Sequence, residues 1–266
     1  MQLNKIYCED CLETMSRMED NFIDLTVTSP PYDNLRTYND NIDETWGEDV
    51  WKPIIKELYR VTKEGGVVVW VVGDATINGS ETGVSFRQAL WAKECGFSLH
   101  DTMIWNKGKF SAVGALKTRY APVFEYMFIL AKNSLKTFNP IKDKRNKTFG
   151  QKITGHVRQA DGSMKKKSTE GNITKEYGQR YNIWKQCPKQ GNNNHPAPFP
   201  ESLAKDHIYS WSNEGDIVYD PFCGSGTTPK MAHLLKRNWI GSELSQEYVD
   251  LSYKRLEPYL TQTTLF

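Results

Sequence analysis

A chain of 266 residues, 38% hydrophobic and 25% charged, can bury one large α/β core with a smaller insertion. No run of 18 apolar residues is present, which excludes a membrane-spanning helix. Met1 to Asp10 also lacks the basic start and apolar stretch of a secretory signal, so a cytoplasmic location is expected. The net charge of +2 hides an uneven distribution: residues 132–189 carry 15 Lys and Arg against 4 Asp and Glu, and the remainder carries 19 against 28.

In chain order, Ile6 to Asp10 reads as the end of a short strand, with Asp10 then as N-cap of a helix over 11–18 whose Leu12, Met15 and Met18 bury one face. Phe22 to Val27 is the next strand, and Thr28-Ser29-Pro30-Pro31-Tyr32 ends it. Residues 33–48 are polar, contain Arg36, Tyr38 and Trp46, and suit an element that closes over a ligand. Trp51, Ile54, Ile55, Leu58 and Tyr59 form the stripe of an amphipathic helix, which Gly65-Gly66 is expected to end. Val67–Val72 is a continuous strand-like run, followed by a helix around Ser85–Glu94, a strand over 97–105 and a central strand within Tyr120–Leu130. Pro200 opens a helix carrying Leu203, Ala204, His207, Ile208 and Trp211. Asp216 to Thr228 runs from a strand into a glycine-rich turn and a helix over 228–236. Trp239 to Glu243 is a strand ending in a carboxylate.

Strands alternating with helices predict a largely parallel sheet with helices on both faces. Three stretches are expected: 1–132, an insertion over 133–194, and 195–266. The insertion is basic and rich in Gly and Asn. It reads either as a polyanion-binding element or as a solvated loop. The five cysteines are scattered and expected to be reduced. Cys8 and Cys11 have half the spacing of a zinc site, but no second pair completes it, so no metal is expected.

Two stretches carry chemistry. Pro30-Pro31 cannot continue a ladder, so the chain leaves the sheet abruptly, at the strand end where open α/β sheets place ligands. Ser29 Oγ and the Pro30 carbonyl would be two acceptors at fixed spacing, with the Tyr32 ring as a stacking surface. A flat heterocycle bearing an exocyclic NH2 fits that set, because accepting both hydrogens frees the nitrogen lone pair for attack. The same five residues would equally make a plain strand-ending turn with a packed tyrosine. In the second stretch, Gly224 and Gly226 allow close backbone approach, and Glu243 lies 19 residues beyond Gly224, where an acidic strand end would hold a ribose diol. The Gly-Lys-Ser/Thr ending of a triphosphate loop and the third glycine of a dinucleotide fingerprint are both absent. A nucleoside ligand without a pyrophosphate fits better.

With Thr-Ser-Pro-Pro-Tyr at 28–32, His-Pro-Ala-Pro-Phe-Pro at 195–200, Asp-Pro-Phe-Cys-Gly-Ser-Gly-Thr-Thr at 220–228 and Gly-Ser-Glu at 241–243, the chain resembles the amino-methylating DNA methyltransferases. The target-base block precedes the cofactor block, the circularly permuted order of the beta group. The resemblance implies a Rossmann-like methyltransferase fold, S-adenosyl-L-methionine as cofactor, double-stranded DNA as substrate and base flipping. It implies that Ser29, Pro30, Pro31 and Tyr32 hold the target amine and base. Thr28, Asp220, Phe222, Gly224, Gly226 and Thr227 would line the cofactor, Glu243 would bind its ribose, and Asp10 or Cys11 would reach its adenine. His195 and Pro196 would close over the methionine end. Asp10 would alternatively serve only as a helix cap, and His195 as an ordinary loop histidine.

The basic insertion would hold duplex phosphates, with Lys144, Arg145, Lys147, Lys165, Lys166 and Lys167 as candidates. No covalent enzyme intermediate is expected, since Cys223 sits in the cofactor turn. Serine in the first position of the target block goes more often with cytosine in similar enzymes, so the resemblance implies the cytosine N4 amine ahead of the adenine N6 amine. RNA or protein-amide methylation and a non-catalytic DNA-binding subunit are the remaining alternatives. A cognate restriction endonuclease is a possible partner, and monomer and homodimer stay open.

Overall fold

The computed structural model describes residues 1–31, 46–108, 118–187 and 200–260. The chain divides into two compact units, Met1–Asn139 with Asn182–Phe266, and Pro140–Tyr181. The first unit begins with β1 (Lys5–Cys8), α1 (Cys11–Ser16), β2 (Ile23–Thr28), α2 (Glu48–Val61) and β3 (Thr62–Val72). The small hairpin β4 (Thr76–Ile77) and β5 (Ser80–Glu81), α3 (Val84–Glu94), β6 (Ser98–Asn106) and β7 (Phe124–Ala131) follow. The second unit holds β8 (Lys144–Arg145), β9 (His156–Arg158), β10 (Met164–Lys166) and β11 (Tyr177–Gly178). The chain then returns to the first unit with β12 (Ile183–Lys185), α4 (Glu201–Trp211), β13 (Ile217–Asp220), α5 (Thr227–Leu234), β14 (Asn238–Glu243) and α6 (Gln246–Leu260).

The main sheet has eight strands in the order β1-β14-β13-β2-β3-β7-β6-β12. All neighbours pair in parallel except β7, which is antiparallel to both β3 and β6. Strand side chains alternate between faces, and on β3 both Val67, Val69, Val71 and Val68, Trp70, Val72 are buried. One face packs against α1, α2 and α3 through Met15, Trp51, Ile55, Leu58 and Ala92. Leu203, Ala204 and Ile208 of α4 and Ala232 of α5 are equally buried.

Several boundaries differ from the sequence reading. Gly65-Gly66 does not end α2. The helix stops at Val61, Thr62 Oγ1 bonds the Leu58 carbonyl at 2.6 Å, and β3 begins at once. Gly65 instead absorbs an irregularity within β3 at φ 79°, its N–H donating to the Lys132 carbonyl at 2.7 Å. Carbonyls at the C-terminal end of α2 are capped by buried Lys132, whose Nζ reaches those of Tyr59 and the C-cap Thr62 at 2.8 and 2.9 Å. The strand expected within Tyr120–Leu130 starts only at Phe124 and runs against its neighbours, and Tyr120 is fully exposed. Pro200 is the N-cap of α4 rather than its first helical residue. Residues 183–185, read as part of the insertion, form the edge strand β12 parallel to β6.

The second unit is a nested hairpin. Lys144 and Arg145 pair with Gly178 and Tyr177, Lys152 bridges to Ile173, and β9 pairs with β10. None of its residues is buried.

Candidate active site

Because β1, β14, β13, β2 and β3 are parallel, their C-terminal ends share one rim of the sheet. Parallel pairing sets Cys8 level with Glu243, so Asp10, two residues on, lies beside the end of β14. On the other side of β14, β13 ends at Asp220 and hands over to the glycine-rich turn, and β2 next to it ends at Thr28 and the Ser29-Pro30 turn. Two segments 192 residues apart in sequence are thereby neighbours.

Buried hydrogen bonds join them. Thr28 Oγ1 donates to Asp220 Oδ1 at 2.7 Å, and Thr228 Oγ1 donates to the Val27 carbonyl at 3.1 Å. Asp220 Oδ1 also accepts from the Phe222 N–H at 3.1 Å, which shapes the turn that follows. Burial pushes the Asp220 carboxyl up to about 6, against the pull of its Thr28, Thr228 and Phe222 donors. Glu243 Oε2 accepts from the Gly224 N–H at 2.8 Å and Oε1 from the Ser245 N–H at 3.0 Å, and burial raises this carboxyl too. Gly226 caps α5 at φ 75°, and a Cβ there would sit 2.7 Å from Ser252 Cβ, so both conformation and space require glycine. Burial also raises the thiols of Cys11 and Cys223.

The residues present fit an S-adenosylmethionine-like nucleoside. Glu243 keeps carboxylate lone pairs beyond its backbone donors, which suits ribose hydroxyls. Three carboxylates, Asp10, Asp220 and Glu243, lie at this rim, a set that suits a cationic sulfonium and repels a pyrophosphate. The half-buried Phe222 ring, edge-on to Trp46 at 5.4 Å and Trp70 at 6.1 Å, supplies an aromatic wall.

Thr28, Ser29, Pro30 and Pro31 therefore share a rim with Asp10, Cys11, Asp220, Phe222, Gly224, Gly226, Thr227 and Glu243. Asp10 caps α1, its carboxylate accepting from the Leu12 N–H at 2.7 Å, and Cys11 and Thr227 are buried. Tyr32, His195 and Pro196 lie outside the described residues. In the second unit, Lys144 Nζ lies over the Tyr181 ring at 4.3 Å, Arg145 faces Glu176 at 3.8 Å and Lys166 faces Glu170 at 3.6 Å. Lys147, Lys165 and Lys167 are exposed there.

Sequence reasoning missed the brace behind the glycine-rich turn. Ser252 Oγ donates to the Gly224 carbonyl at 2.8 Å, and Arg255 bonds the Ser225 carbonyl, the Ser225 hydroxyl and Glu201. Both residues sit on α6, whose buried Val249, Ser252 and Leu256 recur at helical spacing and would have revealed it.

The family described as DNA methylase (N6_N4_Mtase) matches residues 23–254. The orphan methyltransferase M.BamHII of Bacillus amyloliquefaciens is 54% identical over 251 residues, 90% of either chain. The DNA adenine methyltransferase YhdJ of Escherichia coli K12 is 30% identical over 93% of this chain and 81% of its own. Among solved structures, the cytosine-N4-specific PvuII DNA methyltransferase superposes with a TM-score of 0.69 at 21% identity, covering 94% of this chain and 85% of that one. The M1.HpyAVI–SAM complex superposes with a TM-score of 0.63 at 23% identity, covering 95% and 98%.

Proposed function

We propose that this chain, which belongs to the N6/N4 DNA methylase family, methylates the N4 amine of cytosine in duplex DNA. It is an S-adenosylmethionine-dependent DNA methyltransferase. The observation that supports this reading best is the 2.7 Å bond from Thr28 to Asp220, which ties the turn proposed to hold the amine to the turn proposed to hold the cofactor.

When bound, the cofactor supplies an electrophilic methyl group on a sulfonium. Glu243 would hold its ribose hydroxyls, Asp10 and Cys11 would meet the adenine ring, Phe222, Gly224, Gly226, Thr227 and Asp220 would line it, and His195 with Pro196 would close its methionine end. Ser29 and the Pro30 carbonyl would accept the two amine hydrogens, Pro31 would fix the turn, and the base, flipped out of the duplex, would stack on Tyr32. Accepting both hydrogens draws the nitrogen toward sp3 geometry and aims its lone pair, so positioning and desolvation provide most of the acceleration. Residues 133–194 would act as the target-recognition insertion through phosphate contacts, with 1–132 and 195–266 as the two halves of the catalytic domain.

Cytosine is preferred because family members whose target block opens with serine rather than a carboxylate more often act on that base; adenine N6 is the second reading, favoured by the similarity to YhdJ. A cytoplasmic location suits an enzyme that acts on duplex DNA, and relatives named as type II methyltransferases make a cognate endonuclease a candidate partner. Methylating genomic DNA with the purified protein, digesting it to nucleosides and identifying the product by mass tests the base directly. N4-methylcytosine is expected, and N6-methyladenine alone would transfer the activity to the second reading.

A further inference from the structure

The second unit is more than a basic loop. Residues 140–181 contain eleven Lys and Arg against four Asp and Glu. Three of those acids pair locally: Asp143 with Arg180, Glu176 with Arg145, and Glu170 with Lys166. The fourth, Asp161, is turned into its own loop, accepting from the Ser163 N–H at 2.9 Å and the Ser163 hydroxyl at 2.7 Å. That loop, 159–163, is the tip of the nested hairpin and is closed by the Gln159 N–H on the Ser163 carbonyl at 2.7 Å. The strands leading to it, β9 and β10, are exposed along their whole length.

Directly opposed residues of an antiparallel pair share a face. The register Met164 with Arg158 and Lys166 with His156 therefore places four side chains on one face of the ribbon: His156, Arg158, Met164 and Lys166. The other face carries Val157 and Lys165, also opposed. Arg158 has no ion pair among the described residues, and Met164 is 62% exposed, on a strand with no core to enter.

We propose that the β9–β10 ribbon enters the DNA major groove, with the Arg158 face toward the base edges and Lys165 toward phosphates. This rests on the DNA-methylating reading above. A two-stranded ribbon fits a groove about 12 Å wide. The Arg158 face is the chemically informative one: a guanidinium can bond guanine O6 and N7 together, His156 and Lys166 add donors, and Met164 offers an apolar contact to a thymine methyl. A ribbon with no buried residue also gains order from the groove walls, which suits an element that discriminates between sequences rather than one that supports the core.

The test uses the full chain and short duplexes with a randomised core, mapping which sequences become methylated. For Arg158→Ala, preference at one base position is expected to relax and turnover on the preferred sequence to fall by about 10- to 100-fold, the scale of one lost bidentate base contact. For Lys165→Ala, all sequences should weaken alike, with the salt dependence of binding reduced by about one phosphate contact. Thermal melting and S-adenosylmethionine binding should match the parent in both variants. If Arg158→Ala keeps the parent's preference at every position, the ribbon does not read sequence and the inference fails alone. If the parent protein methylates no duplex at all, the DNA-methylating reading fails with it.

Discussion

Thr28 Oγ1 and Asp220 Oδ1 stand 2.7 Å apart, both side chains buried, at the ends of two adjacent parallel strands. Replacing Thr28 by Val keeps the volume but leaves a buried carboxyl short of one donor. Stability should fall by about 1–3 kcal/mol, the usual cost of an unmet buried polar group, readable by urea denaturation. Turnover should fall further than stability alone accounts for, because the Ser29-Pro30 turn loses its tether to the cofactor side.

Asp220 also sets a pH dependence. Its folded-state pKa, about 6, lies above the unfolded value near 4, so the stability it contributes is complete below pH 4 and is lost as pH rises through 6. Asp220→Asn keeps an oxygen to accept from Thr28 and removes the titration. Thermal melting between pH 4 and 7 should become flatter in this variant than in the parent. A parallel pH profile for the two proteins would count against a raised carboxyl at this position.

The two halves of the site should separate kinetically. Ser29→Ala is expected to lower kcat by about 10-fold or more while calorimetric binding of S-adenosylmethionine stays near the parent value, since one of the two proposed amine acceptors is lost. Glu243→Gln retains one oxygen acceptor but loses charge, and cofactor affinity should drop by about 10- to 100-fold with the KM for DNA little changed. Equal loss of both properties in Ser29→Ala would remove the role assigned to the serine.

Cys223 packs behind the turn, its thiol raised by burial and its Sγ in the space that a Cβ on Gly241 would need. A thiol so placed is no nucleophile at neutral pH. Cys223→Ser should therefore methylate at a rate within a few-fold of the parent, and no covalent protein–DNA adduct should appear on denaturing gels.

Much of this was legible in the chain itself. Alternation and apolar runs located every strand of the main sheet except the short edge piece at 183–185, whose three residues carry too little pattern. Helix α6 carries a readable signal as well, since its buried positions recur at helical spacing. The Ser29-Pro30-Pro31 turn and the Gly224–Gly226 turn announce themselves locally, because proline and glycine act on the backbone wherever they occur.

Residue order alone determined which groups could do chemistry: an acceptor pair at a strand end, a glycine turn, a carboxylate 19 residues beyond. That those groups meet was decided by tertiary structure, since strand order in a sheet depends on long-range pairing that local pattern does not encode. The antiparallel direction of β7 and the α6 brace on Gly224 and Ser225 are of the same kind. Each depends on a register between distant segments, and register becomes definite only when both partners are in place.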